Sequence, residues 1–135
     1  MIIHNEIKKG DIYYATLDPI IGSEQDGKRP VVVVQNNLAN KYSPTVIIAP
    51  ITTVLKKIDL PTHIPIKKNK FLKKDSIILI EQVRVIDKVR LKSFLGRLSD
   101  LQMQQVDKAL IKALSIDCIK YLYNLEKEDK NVKNI

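Results

Sequence analysis

Cysteine, histidine and aromatic residues are scarce in this sequence, and each scarcity excludes a class of site. The only cysteine, Cys118, excludes an intramolecular disulfide and any zinc site built from several cysteines; we expect a buried apolar side chain there. The two histidines, His4 and His63, lie far apart, which argues against a ribonuclease that uses a histidine pair as acid and base. The sequence also has no P-loop, dinucleotide-binding glycine motif, serine elbow or HExxH motif.

Long apolar runs are also missing. No segment approaches the roughly 20 apolar residues that a membrane helix needs, and residues 1–6 are too few and too polar for the core of a signal peptide. We therefore expect a cytoplasmic protein without a membrane partner. Acidic residues are dispersed, and even the neighbouring Asp75, Glu81 and Asp87 do not form a set of ligands. We predict no metal site and no cofactor.

Basic residues are the class that is in excess. There are 23 Lys and Arg against 15 Asp and Glu, a formal net charge of +8, within a chain that is 44% hydrophobic and 28% charged. The composition and the length of 135 residues indicate one soluble globular domain. The charge favours a polyanionic partner, because phosphates attract basic surfaces. Much of the excess lies in lysine clusters, near residues 56–57 and 67–74 and after Lys120, which also fit solvated loops.

The first two-thirds of the chain has the pattern of short strands separated by turn residues. Residues 11–17 are rich in β-forming residues, and residues 31–34 are four valines, typical of a strand buried on both faces, with Pro30 as its first residue. Pro50, inside another apolar run, would need a sheet edge or a bulge. Many short strands predict a small barrel or a strongly curled sheet. Further strands are predicted at residues 45–52, 62–66 and 76–85.

The last third of the chain has helical periodicity. Ser99 and Gln102 fit a capping box, which predicts that a helix begins there. One apolar stripe would pack against the sheet, and a second stripe fits either an additional helix or a partner-facing surface. Residues 87–95 predict a shorter helical turn that ends at Gly96. The first stripe consists of Met103, Val106, Leu110 and Ala113, and the second of Ile111, Leu114, Cys118, Tyr121, Leu122 and Leu125.

Polar residues at strand ends are the remaining candidates for chemistry. Arg29 precedes the four valines and Thr52 ends the run 45–52, so the two side chains can meet if these strands pair antiparallel. The 2′-hydroxyl of RNA can attack its own phosphodiester without a metal, provided that it is aligned and the charge on phosphorus is stabilised. Arginine offers a planar cation for that charge, and threonine a hydroxyl that positions phosphate or relays a proton. An arginine before a proline is also a common surface cation.

The order of several longer strings is more specific. Together, over roughly residues 7–116, they resemble the MazF/PemK family of toxins. The strings are KGDIYYA (9–15), PIIGSEQ (19–25), RPVVVVQN (29–36), SPTVIIAPIT (43–52), LPTH (60–63), DS (75–76), EQVRVID (81–87) and the segment 98–110.

The resemblance implies a mainly β fold with a C-terminal helix, an SH3-like small barrel of the α+β class. It implies a MazF/PemK-like domain over residues 1–116, followed by a helical extension and charged tail over 117–135. It also implies a homodimer, a cognate MazE-type antitoxin, and a metal-independent endoribonuclease that cuts single-stranded mRNA by 2′-hydroxyl attack and leaves a 5′-hydroxyl product. By likeness to Gram-positive members, the expected target is a short U-rich motif containing ACA, such as UACAU.

The resemblance also implies site residues. Arg29 and Thr52 fall at the family's catalytic arginine and threonine, which agrees with the pair chosen on chemical grounds, although the adjacent Thr53 is an ambiguity. Gln82, an amide, is suited to reading an unstacked base. We leave Glu81 out of the site because it fits equally well as the structural partner of a buried polar group. The expected RNA-binding residues are Ile20, Ser23, Glu24, Gln25, Thr53, Gln82 and Arg84.

Two other functions fit parts of the sequence. A gyrase-inhibiting toxin shares this fold and would bind a protein, and a noncatalytic RNA-binding barrel would account for the +8 charge. Retention of Arg29 and Thr52 favours the nuclease. RNA bases normally stack on aromatic side chains, but aromatics make up only 5% of this chain and none lies in residues 20–27. Ile20 and Ile21 would provide the contact instead.

Overall fold

The structure, a computed structural model, describes residues 6–17, 27–55 and 59–122. Within these ranges it contains seven strands, two α-helices and a further helical segment at residues 118–122. The strands are β1 (Asp11–Thr16), β2 (Lys28–Val33), β3 (Thr45–Thr52), β4 (His63–Ile66), β5 (Ser76–Leu79), β6 (Arg84–Asp87) and β7 (Leu91–Arg97), and the helices are α1 (Asn37–Tyr42) and α2 (Asp100–Ala113).

All seven strands join one antiparallel sheet. Its order is β4-β5-β3-β2-β1-β7, and β6 pairs with β3 outside this path. In the described ranges, no pairing joins the outer strands β4 and β7. The predicted mainly β fold with a terminal helix is confirmed, whereas the sheet is open and not a closed barrel.

Strand β3 changes partner along its length, and this explains how it accommodates a proline. Its first half pairs with β6, ending at Ile48 opposite Arg84, and its second half pairs with β5, beginning at Ile51 opposite Ile78. Pro50 lies between these two pairings. The missing backbone N–H therefore falls where the strand has no ladder partner on that side, so no sheet hydrogen bond is lost.

Two apolar clusters cover the two faces of the sheet, because successive residues of a strand point to opposite sides. We call them the helix-side core, which includes Val32, Ala49 and α2 residue Val106, and the second core, which includes Val31 and Ile48. The four valines at 31–34 are all buried, as predicted for a strand covered on both faces. The strand itself begins earlier than expected, at Lys28, so Arg29 and Pro30 lie inside β2.

Helix α2 begins as the capping box predicts. The Ser99 hydroxyl accepts from the Gln102 backbone N–H (3.1 Å), and the Gln102 side chain accepts from the Ser99 N–H (2.8 Å). Val106 of the first stripe is buried, but Ala113 is exposed, and the buried Ala109 was not predicted. A third helical segment covers residues 118–122. The prediction of a buried Cys118 is wrong, since its side chain is exposed there.

Several other predicted elements differ from the structure. The predicted strand at 76–85 is interrupted by a 3₁₀ turn at Ile80–Gln82, which separates β5 from β6. The predicted helical turn at 87–95 is limited to a 3₁₀ turn at Lys88–Arg90, and β7 follows it. Helix α1, capped by the Asn36 side chain, was not predicted. No helix in the described ranges is long and apolar enough to cross a membrane.

Candidate functional site

Arg29 and Thr52 lie at the same end of two paired strands. Strands β2 and β3 are antiparallel, with Val31 opposite Pro50 and Val33 opposite Ile48. Continuing this register by two residues brings Arg29 opposite Thr52. Residues that are directly opposite in an antiparallel pair have side chains on the same face, with Cβ atoms about 5 Å apart. The two candidate residues therefore share one face of the sheet, the face of the second core.

The pair belongs to a row of four residues that crosses four strands. Ala15 of β1 is opposite Arg29, and Ile77 of β5 is opposite Thr52. Both flanking residues are fully buried, whereas Arg29 and Thr52 are partly exposed. The Thr52 hydroxyl oxygen accepts a hydrogen bond from the Val54 backbone N–H (3.1 Å), which restrains its side chain. The row thus places a cation and a hydroxyl at the solvent boundary of an apolar sheet.

Such an arrangement suits chemistry at a phosphate. A guanidinium is planar and permanently charged, so it stabilises negative charge that develops on phosphate oxygens. The hydroxyl beside it can hydrogen-bond the same group. Charge stabilisation is more effective beside apolar side chains than in bulk water, because the local dielectric constant is lower.

Tyr13 is the ionisable side chain of β1 that lies nearest to this row on the same face. Burial raises the pKa of the Tyr13 hydroxyl well above its usual value. The charge of Asp11 and a hydrogen bond with it act in the same direction, and Arg97 opposes them. The phenol therefore stays protonated at neutral pH. It is not available as a general base.

Three of the predicted RNA-binding residues lie along β3 or at its end. Arg84 begins β6, opposite Ile48, and is exposed. Gln82 is an exposed residue of the 3₁₀ turn between β5 and β6, at the stretch where β3 changes partner. Thr53 follows directly after β3 and is also exposed. The structure therefore brings Arg84 and Gln82 beside the strand that ends at Thr52. Ile20, Ser23, Glu24 and Gln25 lie outside the described residues.

Glu81, which we left out of the site, pairs with His63. The His63 Nε2–H donates to Glu81 Oε1 at 2.7 Å, and the histidine side chain is mostly buried. Burial acts to raise the pKa of Glu81, but hydrogen bonds from His63, from its own backbone and from Thr62 outweigh burial and hold that pKa below its usual value. Glu81 is therefore an ionised partner of a nearly buried histidine. This contact fits the structural interpretation of Glu81.

A cavity that sequence reasoning missed lies on the other face of the same strand ends. Its volume is about 550 Å³, and we call it the lysine–aromatic cavity. The lysine cluster at residues 67–74 had suggested only a solvated loop. Phe71, in the middle of that cluster, is the signal in the sequence that could have indicated a packed surface there. The residues that line the cavity are Tyr14, Pro30, Ile51, Thr53, Lys70, Phe71, Leu72, Lys73, Lys74, Ser76, Phe94 and Leu95.

No cluster of three or more His, Cys, Asp or Glu side chains that could hold a metal ion occurs in residues 6–17, 27–55 and 59–122.

Comparison with known proteins gives a consistent set of relatives. Residues 8–114 match a family model described as PemK-like, MazF-like toxin of type II toxin–antitoxin system. The chain is 53% identical over 112 residues to a protein named endoribonuclease MazF from Staphylococcus epidermidis, covering 82% of this chain and 93% of that protein.

Solved structures show the same fold. An endoribonuclease from a mycobacterial species, in complex with its cognate antitoxin, superposes with a TM-score of 0.66 at 22% identity, covering 83% of this chain and 96% of that one. MazF from Deinococcus radiodurans gives a TM-score of 0.66 at 20% identity, covering 82% of this chain and 98% of that one.

Proposed function

This chain belongs to the PemK-like, MazF-like toxins of type II toxin–antitoxin systems, and we propose that it is an endoribonuclease that cuts single-stranded mRNA at a short sequence motif. The identity of 53% to an endoribonuclease MazF supports the activity. The observation that supports the assignment of the site most strongly is the β2–β3 register, which, continued by two residues, brings Arg29 opposite Thr52.

The proposed reaction needs no metal. The ribose 2′-oxygen attacks the adjacent phosphorus, and the bond from phosphorus to the 5′-oxygen breaks. The 2′-hydroxyl loses its proton and the leaving 5′-oxygen gains one, so the products are a 2′,3′-cyclic phosphate and a 5′-hydroxyl. Negative charge grows on the phosphate oxygens during the attack. Arg29 stabilises that charge without releasing a proton, and Thr52 positions the phosphate.

Sequence selection is proposed to involve residues near this pair. Gln82 and Arg84, together with Thr53, offer amide, cationic and hydroxyl groups to base edges and phosphates. From the resemblance, we also include Ile20, Ser23, Glu24 and Gln25, and we propose a U-rich motif containing ACA, such as UACAU. We propose that the protein acts in the cytoplasm as a homodimer, with its domain over residues 1–116 and an extension over 117–135. A cognate MazE-type antitoxin is proposed as its inhibitor, supported by the antitoxin complex of the mycobacterial endoribonuclease.

The decisive experiment is incubation of the purified protein with a long RNA that contains all pentamers, in excess EDTA. We expect discrete cuts, with 5′ ends that polynucleotide kinase labels without prior phosphatase treatment. A 2′-deoxy substitution at a mapped cut site should block cutting there, because the nucleophile is removed. Intact RNA would contradict the proposal and favour a gyrase inhibitor or a noncatalytic RNA-binding protein. Cutting that requires added metal would contradict the proposed chemistry.

Variants at the candidate pair test the assignment of the site. We expect Arg29→Ala to lower the cleavage rate by at least about 100-fold, the usual loss when a group that stabilises transition-state charge is removed. Thr52→Val keeps the shape of the side chain and should also slow cleavage. Lys28→Ala is the matched control, since it removes a neighbouring positive charge from the opposite face of β2 and should cut normally. Equal losses for Lys28→Ala and Arg29→Ala, or unfolding of Arg29→Ala by circular dichroism, would contradict a catalytic role.

A further inference from the structure

We propose that the lysine–aromatic cavity is a second RNA subsite, which binds one nucleotide of the strand that is cut at Arg29 and Thr52. This inference rests on the proposed function, and it adds a binding site on the opposite face of the sheet. The ligand is a single-stranded nucleotide segment, with its base among aromatic rings and its phosphates on lysines.

The cavity lies within reach of the candidate pair. Tyr14, Pro30 and Ile51 alternate along their strands with the residues of the row that contains Arg29 and Thr52, so they face the helix side of the sheet. Thr53 lines the cavity, and its Cα is one peptide, about 3.8 Å, from that of Thr52. An RNA strand that passes the end of β3 can therefore contact both faces.

Three aromatic side chains in the cavity provide surfaces for a base. Tyr14 and Phe94 are 42% and 39% exposed, so part of each side chain is accessible to a ligand. Phe94 lines the cavity, but its ring is held edge-on against Tyr13, the second-core residue opposite it in the sheet, with ring centroids 5.5 Å apart. The third ring is that of Phe71. Bases stack on such rings largely irrespective of their identity, and a volume of about 550 Å³ lies within the range of small-molecule sites.

The loop that carries Phe71 is held in shape by its own hydrogen bonds. The Asn69 side-chain oxygen accepts from the backbone N–H groups of Phe71 and Leu72, each at 2.9 Å. The Asn69 N–H donates to the Leu72 carbonyl at 2.8 Å. The Phe71 ring rests on Gly96, where an added Cβ would lie only 2.6 Å from the ring. The ring is therefore positioned before any ligand binds, which lowers the entropic cost of binding.

The charge of the cavity fits phosphate. Lys70, Lys73 and Lys74 line it, and no acidic residue of the described part of the chain does. In residues 6–17, 27–55 and 59–122 these lysines form no salt bridge. The nearest carboxylate in sequence, Asp75, accepts a hydrogen bond from the Lys68 backbone. Three cations beside aromatic surfaces are what a single nucleic acid strand requires.

Binding of a 12-nucleotide, fluorescein-labelled 2′-O-methyl oligouridine tests the inference, because its blocked 2′-oxygens prevent cleavage. Fluorescence anisotropy at 50–300 mM KCl gives the dissociation constant and its salt dependence. We expect the triple variant Lys70→Gln, Lys73→Gln, Lys74→Gln to flatten the slope of log K against log salt by about 1.4, since one nucleotide has two flanking phosphates and each lost phosphate contact contributes about 0.7. The control removes equal charge elsewhere, as Lys41→Gln, Lys112→Gln, Lys120→Gln, and should flatten the slope much less.

A second variant tests stacking separately from charge. Phe94→Leu should weaken binding at least about fivefold without changing the salt slope. The inference would be overturned if the two triple variants flattened the salt slope equally, or if Phe94→Leu bound the oligonucleotide with wild-type affinity. Wild-type affinity of Phe94→Leu is also the result expected if a second copy of the chain or another protein covers the cavity. Cleavage of natural RNA by the wild-type protein is scored independently. If RNA is cut while the cavity variants bind normally, the subsite is wrong and the nuclease stands; if binding depends on the cavity but RNA stays intact, the nuclease is wrong and the subsite stands.

Discussion

Replacing Gly96 with alanine tests whether the Phe71 ring packs directly on the backbone of β7. A Cβ at position 96 would lie 2.6 Å from two atoms of the Phe71 ring and 3.0 Å from a third. Carbon atoms in contact are ordinarily about 3.5–4.0 Å apart, so the ring would have to move by about 1 Å. Phe71 packs against the helix-side core, and its displacement would disturb that packing.

The expected cost follows from this clash. Inserting a methyl group into a packed site costs about 1–3 kcal/mol, and the reduced flexibility of the unfolded chain offsets about 0.4–1 kcal/mol. We therefore expect Gly96→Ala to lower the free energy of unfolding by about 1–2 kcal/mol. For a domain of this size the melting temperature should fall by roughly 4–8 °C. Urea titration and thermal melting followed by circular dichroism measure both quantities.

Two controls make the result interpretable. Ser93→Ala, at an exposed position of the same strand, should change stability by no more than about 0.5 kcal/mol. In a Phe71→Leu background, Gly96→Ala should cost at least about 0.5 kcal/mol less than in the wild type, because the ring that creates the clash is gone. If Gly96→Ala is as stable as Ser93→Ala, or if the cost is unchanged in the Phe71→Leu background, the ring does not pack on Gly96 and the preformed shape of the cavity is refuted.

Two ion pairs outside the candidate site give further predictions. Arg97→Ala should destabilise the fold by about 1.5 kcal/mol, because the Arg97 guanidinium donates to the fully buried Asp11 at 2.6 Å while remaining half exposed. Urea titration measures this cost, and Lys92→Ala is the control. A cost of Arg97→Ala no greater than that of Lys92→Ala would refute the prediction. The contacts of Glu81 lower the pKa of its carboxyl group. The ionised carboxylate therefore stabilises the fold fully at pH values above the usual glutamate pKa of about 4.3. This stabilisation is lost as the pH falls through the lowered pKa. Glu81→Gln should therefore approach wild-type stability between about pH 5 and pH 2, and a constant difference in urea midpoint over that range would contradict the pairing with His63.

The proposed RNA path uses both faces of one end of the sheet, where aromatic side chains from distant parts of the sequence come together. Tyr14, Phe71 and Phe94 are separated in sequence, but the fold gathers them in one cavity. A chain that is only 5% aromatic can therefore still offer a stacking surface. Ile20 and Ile21, proposed from the sequence to replace aromatic contacts, need not supply that surface alone.

Elements governed by local chemistry could be predicted from the sequence. The capping box at Ser99 and Gln102 depends on groups three residues apart, and both of its hydrogen bonds are present. The four valines at 31–34 pack on both sides, because such a run has no polar residue to face water. The family could also be identified from ordered strings of residues, and the strings placed Arg29 and Thr52 near strand ends.

Features that depend on distant contacts could not be read from the sequence. Residues 76–85 have the composition of one strand, but β3 passes from β6 to β5 and a turn at Ile80–Gln82 replaces the middle of it. Cys118 was expected to be buried because cysteine is usually apolar in character, yet residues 111–122 are all exposed in the structure. Burial depends on whether another element covers a helix face, and helical periodicity does not contain that information.

By itself, the sequence determined that residues 11–17, 30–34, 45–52 and 62–66 form strands and where α2 begins, since these depend on side-chain patterns and capping groups within a few residues. Only the tertiary structure decided the strand register and the order of the sheet. That register, continued by two residues, sets Arg29 opposite Thr52 across two strands, and the fold gathers three lysines and three aromatic side chains from three separate segments around one cavity. Pairing of residues far apart in the chain depends on the packing of the whole sheet, so no local pattern specifies it.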